Sequence, residues 1–416
     1  MTGPPTLIAI GGGGPAHHVA DWSRLLIAQA HRRGLAVVIL DTASDLASVP
    51  DVEGVRTYAV DYRDTASCLA VADRVAAEVP VLAVVGFREF ALSTTAAVAQ
   101  QLRTPWNDPE VIATCRAKDR CRGVLRAAGL PQPGVVAFTD AADAVDYLEQ
   151  RLGSWVVKPR DGFGSEGVTL ARPGVDNLLP IAERALLYSS HVLVEQFVEG
   201  CEFSIEGLFV EGRPVVLDVT AKTVTAPPFF AETAHDQPAD ISAGLRDELT
   251  ETAKRAVIAV GLRRSLFHVE AWATPSGGVV CGEVHSRTGG DWIHAMVAHR
   301  RPGLELFGCV LDDLTGRPVH IPQLSPERSA AVVAVSVPSA SGVVRGIHGI
   351  SAAAAVPGCL AVDVLVEPGD IVGKVRDSSS RAALIIAGST AGQRARAIAE
   401  RCTDRLWIDV ADVVSQ

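Results

Sequence analysis

The chain reads as a mixed α/β and α+β protein in three parts. An open parallel sheet comes first, a central region of antiparallel hairpins follows, and a smaller α+β segment ends the chain. Short apolar runs alternate with amphipathic stretches over the first hundred residues, the rhythm of βαβ units. Period-two strands joined by Gly-, Pro- and Ser-rich turns fill roughly 134–320. At 416 residues the chain is also too long for one compact core, given about 150 residues per domain.

In chain order, TLIAI (6–10) and LAVVIL (35–40) read as buried parallel strands around an amphipathic stretch from Asp21 to Arg33, and VLAVVGF (81–87) continues the sheet. Gly11–Gly14 follow the first strand and Asp41 the second, as in a dinucleotide fingerprint. Pro15, Ala16 and His17 stand where its last glycine belongs, so the expectation is a tight strand-to-helix turn. One helix is predicted from Asp108 to about Ala128, stopped by Gly129 and followed by Pro131 and Pro133 before GVVAF (134–138). WVVKP, GVTLA, VLVEQFV, FSIEGLFV, PVVLDVT, SLFHVEAWA and VVCGEVHS then read as strands, with helices near 176–190 and 243–261. After Pro322 come AAVVAVSV, LAVDVLV, AALIIAG and a helix at 391–402, taken as a small appended domain. The expected boundaries are 1–107, 108–321 (divided at 196/197) and 322–416.

Hydrophobic residues make up 48% and charged residues 21%, an ordinary globular balance. A net charge of −10 argues against a nucleic-acid surface. No apolar run approaches the roughly 18 residues of a membrane span, and no basic residue precedes the first apolar stretch as in a signal peptide. Eight scattered cysteines (68, 115, 121, 201, 281, 309, 359, 402) include no C-x-x-C pair, which points away from zinc and disulfides and toward a reducing, cytoplasmic setting. Lysine occurs five times (118, 158, 222, 254, 374) among 38 basic residues, which makes each lysine worth inspecting.

Three stretches carry chemistry. In SLFHVEAWATPSGGVVCGEVHSR (265–287), two strands flank a turn at Pro275–Gly278. Centring that turn sets Glu270 opposite Glu283, His268 opposite His285 and Trp272 opposite Cys281. Facing carboxylates repel; a shared proton or a divalent cation compensates, or the side chains splay into solvent. With oxygen ligands and no thiolate, the cation is Mg²⁺, with Mn²⁺ as the alternative. In WVVKPRDGFGSEGVTLA (155–171), Lys158 ends a strand, and Gly162, Gly164, Ser165 and Gly167 form either a phosphate-cradling loop or a plain hairpin turn; no G-K-[ST] marks a P-loop. In VLVEQFVEGCEFSIEG (192–207), Glu195, Glu199, Glu202 and Glu206 are acceptors for ribose hydroxyls or the solvated acids of an edge strand.

Order and spacing of these pieces resemble the ATP-grasp superfamily over most of the chain. The resemblance implies that fold and assigns Lys118 and Lys158 to the nucleotide phosphates together with the loop of Gly162, Gly164, Ser165 and Gly167. It assigns the hinge Glu195, Phe197 and Val198 to adenine, Glu202 to ribose and Lys222 to the phosphates. Glu270 and Glu283 become Mg²⁺ ligands, and Arg287 steadies an acyl phosphate and the tetrahedral oxyanion. His285 departs from the family's asparagine, and imidazole is a poorer Mg²⁺ ligand than an amide oxygen; either it does not ligate, or it serves the acceptor. The stretches D-x-x-x-K…F-x-E-T-x-H…P-A and EVHSRTGGDWI look most like the L-amino acid ligase branch. This implies ATP-dependent joining of an amino acid, or similar small carboxylate, to an amine, with ATP and Mg²⁺ required and a homodimer common. Segments 161–167 and 223–240 are candidate lids, and Glu232 and His235 candidates to orient an amino acid. An ATP-dependent carboxylase, a formate-type ligase and an ATP-binding module with weakened chemistry are the alternatives.

Overall fold

The computed structural model describes residues 3–14, 16–337 and 341–412; Pro15 of the glycine turn lies outside the described residues. Strands β1 (Thr6–Ile10), β2 (Ala36–Asp41), β3 (Val55–Ala59) and β4 (Val81–Val85) form a parallel sheet in the order β3-β2-β1-β4. β1 is buried throughout, as its unbroken apolar run requires. β3 escaped the sequence reading because it is an edge strand, mostly exposed, without such a run. The Gly11–Gly14 turn is spent internally. Asp41 accepts from Gly13 N at 2.8 Å, and burial raises its pKa to about 6, so no free acid remains for a ribose.

The helix expected over 108–128 is two, Pro109–Arg116 and Lys118–Ala127. Ala117 between them is extended (φ −86°, ψ 93°), so Lys118 opens the second helix and its ammonium donates to Gly162 O at 2.6 Å. Strands β5 (Val135–Phe138), β6 (Trp155–Pro159), β7 (Thr169–Ala171) and β8 (Val192–Gln196) make an antiparallel sheet in the order β5-β8-β6-β7. A helix at Leu178–Leu186, shorter than the predicted 176–190, packs on it.

β9 (Cys201–Val210), β10 (Arg213–Val224), β11 (Glu232–Gln237), β12 (Leu266–Ala273) and β13 (Val279–His285) are antiparallel neighbours. Beyond them come β14 (Ser329–Val335), β15 (Ser341–His348), β16 (Cys359–Val364), β17 (Ile371–Gly373), β18 (Ala383–Ser389) and β19 (Trp407–Asp412). The central sheet runs β13-β12-β9-β10-β11-β14-β18-β16, so three strands of the last segment extend it, while β17-β15-β19 form a separate small sheet. The segment after 322 is therefore joined to the centre through β11–β14 hydrogen bonds. A third of the second expected lid (223–240) is strand β11 and its first two residues end β10; residues 225–231 and 238–240 are free of the sheet.

Alternation divides the central sheet into two faces. Phe203, Ile205, Val219, Val269, Ala271 and Val284 pack on the long helix Ala243–Val260 and on the paired helices. The hairpin pairs His268 with His285 and Val269 with Val284 as predicted, then slips. Ala271 faces Cys281 and Trp272 faces Val280, not Cys281. Gly282 and Glu283 thus share the place opposite Glu270, a bulge that equal strand counting does not reveal. A Cβ on Gly282 would lie 2.8 Å from both Glu270 O and the Trp272 ring. Gly282→Ala is therefore expected to lower the chemical-denaturation stability by about 1–3 kcal/mol. Gly244→Ala, in a helix with open space around its Cβ position, is the control and should be neutral or stabilising.

Candidate active site

The opposite face of the central sheet is polar because the same alternation puts Glu202, Ser204 and Glu206 on one side of β9. Cross-strand partners share a face, and β12 pairs Trp272 with Glu202, Glu270 with Ser204 and His268 with Glu206. Lys222 pairs with His235 in the same way. Acids, lysine and imidazoles are thereby packed side by side away from bulk water, where each charge needs a partner.

The partners are lysines. Lys222 Nζ lies 2.5 Å from Glu202, 2.7 Å from Glu232 and 2.9 Å from Glu270. Lys158 Nζ reaches Glu283 at 3.2 Å and Lys118 Nζ reaches it at 3.3 Å. Burial alone would raise both hairpin carboxyls. Lys222 instead holds Glu270, and Lys118 and Lys158 hold Glu283, well below the usual carboxylate range. Each hairpin glutamate is ionised on its own cation, with neither a shared proton nor splaying into solvent. Glu202 differs: burial outweighs Lys222 and raises it, so it is the more readily protonated acid beside that ammonium.

Two further pairs support this row. Glu195, 3% exposed, has its carboxylate taken up by neighbouring cations. It takes Arg122 Nε and Nη2 at 2.5 and 3.0 Å and Lys158 at 3.3 Å, fixing the Lys158 ammonium from behind. His268 Nδ1 contacts Glu206 at 2.8 Å and Nε2 contacts Glu270 at 3.4 Å. Burial opposes its charge, but Glu206 and then Glu270 raise its pKa to about 9.

At one edge, Arg287 Nε donates to Glu89 at 2.6 Å. His285 spans Glu89 (Nδ1, 3.2 Å) and Glu283 (Nε2, 3.4 Å), so both its nitrogens are engaged by carboxylates. Burial opposes the Glu89 charge, yet Arg287 and His285 hold this acid well below its ordinary range. At another edge, His235 Nε2 meets Asp291 at 3.1 Å. The glycine loop lies over the row. Gly164, Ser165 and Gly167 all have positive φ (62°, 60° and 72°), Ser165 Oγ donates to Phe230 O at 2.9 Å, and Phe197 stacks on Phe230 with centroids 5.9 Å apart. The Ser165 hydroxyl thus ties loop to loop in this structure, and Phe197 leans on the second loop; Val198 beside it is half-buried.

Side-chain groups of three that converge on a point are Glu202–Glu232–Glu270 and Glu232–His235–Asp291 among the described residues; neither includes Glu283. The first set is all oxygen, which suits a hard cation, and Lys222 sits among its atoms. Sequence reasoning missed Glu89, Arg122, Asp291 and Arg381. Three of them reach the site from outside the motif strands, and no local spacing marks them. Asp291 stood within the EVHSRTGGDWI string, and His268 was already placed beside His285.

A buried imidazolium sets a pH dependence. Its folded pKa of about 9 exceeds the ordinary 6.5, so its stabilisation is full below pH 6.5 and is lost as pH rises to about 9. Thermal unfolding midpoints across pH 6.5–9 should decline in the wild type and decline less in Glu206→Gln. Arg122→Met removes the two-pronged partner of buried Glu195, leaving it Lys158 alone, and should cost up to about 3–5 kcal/mol in denaturant unfolding.

This geometry agrees with comparisons against known proteins. Residues 153–296 match the model of the ATP-grasp domain, and residues 316–411 match L-amino acid ligase C-terminal domain 2. An uncharacterized protein, y4rH, of Sinorhizobium fredii is 27% identical over 92% of this chain and 80% of its own length. A D-alanine–D-alanine ligase of Sodalis glossinidius is 30% identical over 45% of this chain, which spans 54% of that ligase. The crystal structure of an L-amino acid ligase from Bacillus licheniformis superposes with a TM-score of 0.79 at 24% identity, covering 98% of this chain and 99% of that one. The chain thus carries an ATP-grasp domain followed by a C-terminal domain of the L-amino acid ligase type, and its relatives are ATP-grasp ligases.

Proposed function

We propose that this protein joins an amino acid, or a similar small carboxylate, to the amine of a second amino acid through an acyl phosphate, releasing ADP and phosphate. The observation that carries this reading is the row of ionised carboxylates and buried lysines on one sheet face, closed at its edge by Arg287. A carboxylate is a poor electrophile until its oxygen is phosphorylated, and phosphoryl transfer calls for positioning and charge neutralisation. Lys118, Lys158 and Lys222 face the row and would exchange their glutamate partners for phosphate oxygens. Glu270 and Glu283, already ionised, would hold Mg²⁺, which when bound neutralises charge on the transferring phosphoryl group. Arg287 would leave Glu89 to steady the tetrahedral oxyanion. Glu232 and His235, on β11 beside Lys222, would orient the amino acid that supplies the amine. Ser165 and the glycines, closing on the 225–231 loop, would keep water from the acyl phosphate.

A phosphate-release screen over amino-acid pairs with Mg-ATP, with mass detection of products, tests the reading. Dependence on bicarbonate or formate in place of an amino acid would move it to the carboxylase or formate-type alternatives. ATP binding without phosphate release from any pair would leave a binding module. Glu283→Gln is expected to lower turnover by at least about 10²-fold with unchanged circular dichroism. Lys158→Ala should raise the apparent KM for ATP about 10–100-fold, the loss of one charge-assisted contact. Wild-type turnover in the first variant, or an unchanged ATP requirement in the second, would contradict these assignments.

A further inference from the structure

Asp291 and Trp292 lie four and five residues past Arg287 and both have positive φ, 50° and 63°. They are the one adjacent pair of non-glycine residues in the left-handed region among the described residues. That conformation is unfavourable for residues with a Cβ and persists where the surroundings over-determine it. Here the surroundings come from the C-terminal segment. Arg381 Nη1 and Nη2 clasp the two Asp291 oxygens at 2.5 and 2.8 Å, and Asp363 Oδ2 accepts from Trp292 Nε1 at 2.7 Å. All of the clasping groups are buried: Arg381 is 5%, Asp291 7% and Asp363 1% exposed.

Arg381 does more than pair with one acid. Its Nη1 also donates to Glu232 O at 3.3 Å, and its Nε to Ser378 O at 2.8 Å. Ser378 N in turn donates to Gly164 O at 2.9 Å, in the glycine loop. Asp291 passes the constraint to His235, 2% exposed, whose Nε2 it holds at 3.1 Å. One guanidinium thus ties the strained turn after Arg287, the strand bearing Glu232 and His235, and the loop over the lysines.

We propose that Arg381 is a positioning residue of this active site: by clasping Asp291, and through it His235, it sets the wall that receives the amine substrate. The C-terminal segment is on this view a working part of the site, since it supplies the planar fork that a single acid in a strained turn requires. The inference rests on the ligase reading for its kinetic test and on the turn alone for its structural one.

The full-length Arg381→Met and Arg381→Lys variants test it, with steady-state kinetics for each substrate and hydrogen exchange of the peptide 288–294. Arg381→Met is expected to lower kcat/KM for the amine substrate about 10–100-fold, as loss of a supporting partner does. The KM for ATP should change less than the KM for the amine substrate, and exchange at 288–294 should accelerate. Arg381→Lys should restore charge but only part of the activity, because it lacks the fork. If Arg381→Met does not fold, the lysine variant carries the test by the same two measurements. Unchanged amine-substrate kinetics in a folded variant would overturn the proposal. If the wild type ligates no pair, the ligase reading falls, and unchanged exchange at 288–294 would by itself overturn the positioning role.

Discussion

Matching of buried charge governs this structure. Strand alternation drives Glu202, Glu206, Glu270, His268 and Lys222 onto one sheet face, and none of these groups is stable there alone. Lysines answer the hairpin acids and an arginine answers Glu195, so Glu270 and Glu283 are held ionised in a protein interior. The arrangement is costly as a source of stability, because desolvating ion pairs consumes most of their attraction. Its lysines are compact point charges, which pair with carboxylate and phosphate oxygens alike.

That face is completed by distant parts of the chain. Glu89 arrives just after the last strand of the parallel sheet and reaches Arg287; Arg122 arrives on the second of two helices and reaches Glu195. The break at Ala117 matters for the same reason. An unbroken helix would not set Lys118 at a helix start, facing the carbonyl of Gly162. The glycine loop is held to Phe230 by Ser165 and to Ser378 by a backbone hydrogen bond, which couples it to the C-terminal segment. Each contact joins groups far apart in sequence, so the site forms only when the whole chain has folded.

The hairpin shows how far local pattern reaches. Counting outward from the turn paired His268 with His285 correctly, because alternation fixes the face of every residue. It misplaced Trp272, because a bulge at Gly282 inserts one residue without changing any apolar rhythm. The same limit applies to Glu195, which looked like an exposed acid in an edge strand. β8 in fact lies between β5 and β6, and burial turned the acid into a partner for Arg122 and Lys158.

The resemblance to the ATP-grasp superfamily drew the lysines and glutamates into one constellation; composition, periodicity and turn chemistry determined the open first sheet, the antiparallel centre, and the polar and apolar faces of the hairpin. Those follow from short-range rules: side chains alternate along a strand, glycines permit positive φ, and facing acids demand compensation. Tertiary structure decided which cation meets which acid, that the last segment extends the central sheet, and that Glu89, Asp291 and Arg381 stand at the site. Such pairings depend on chain crossings and on burial, and burial is a property of the packed molecule that no window of sequence contains.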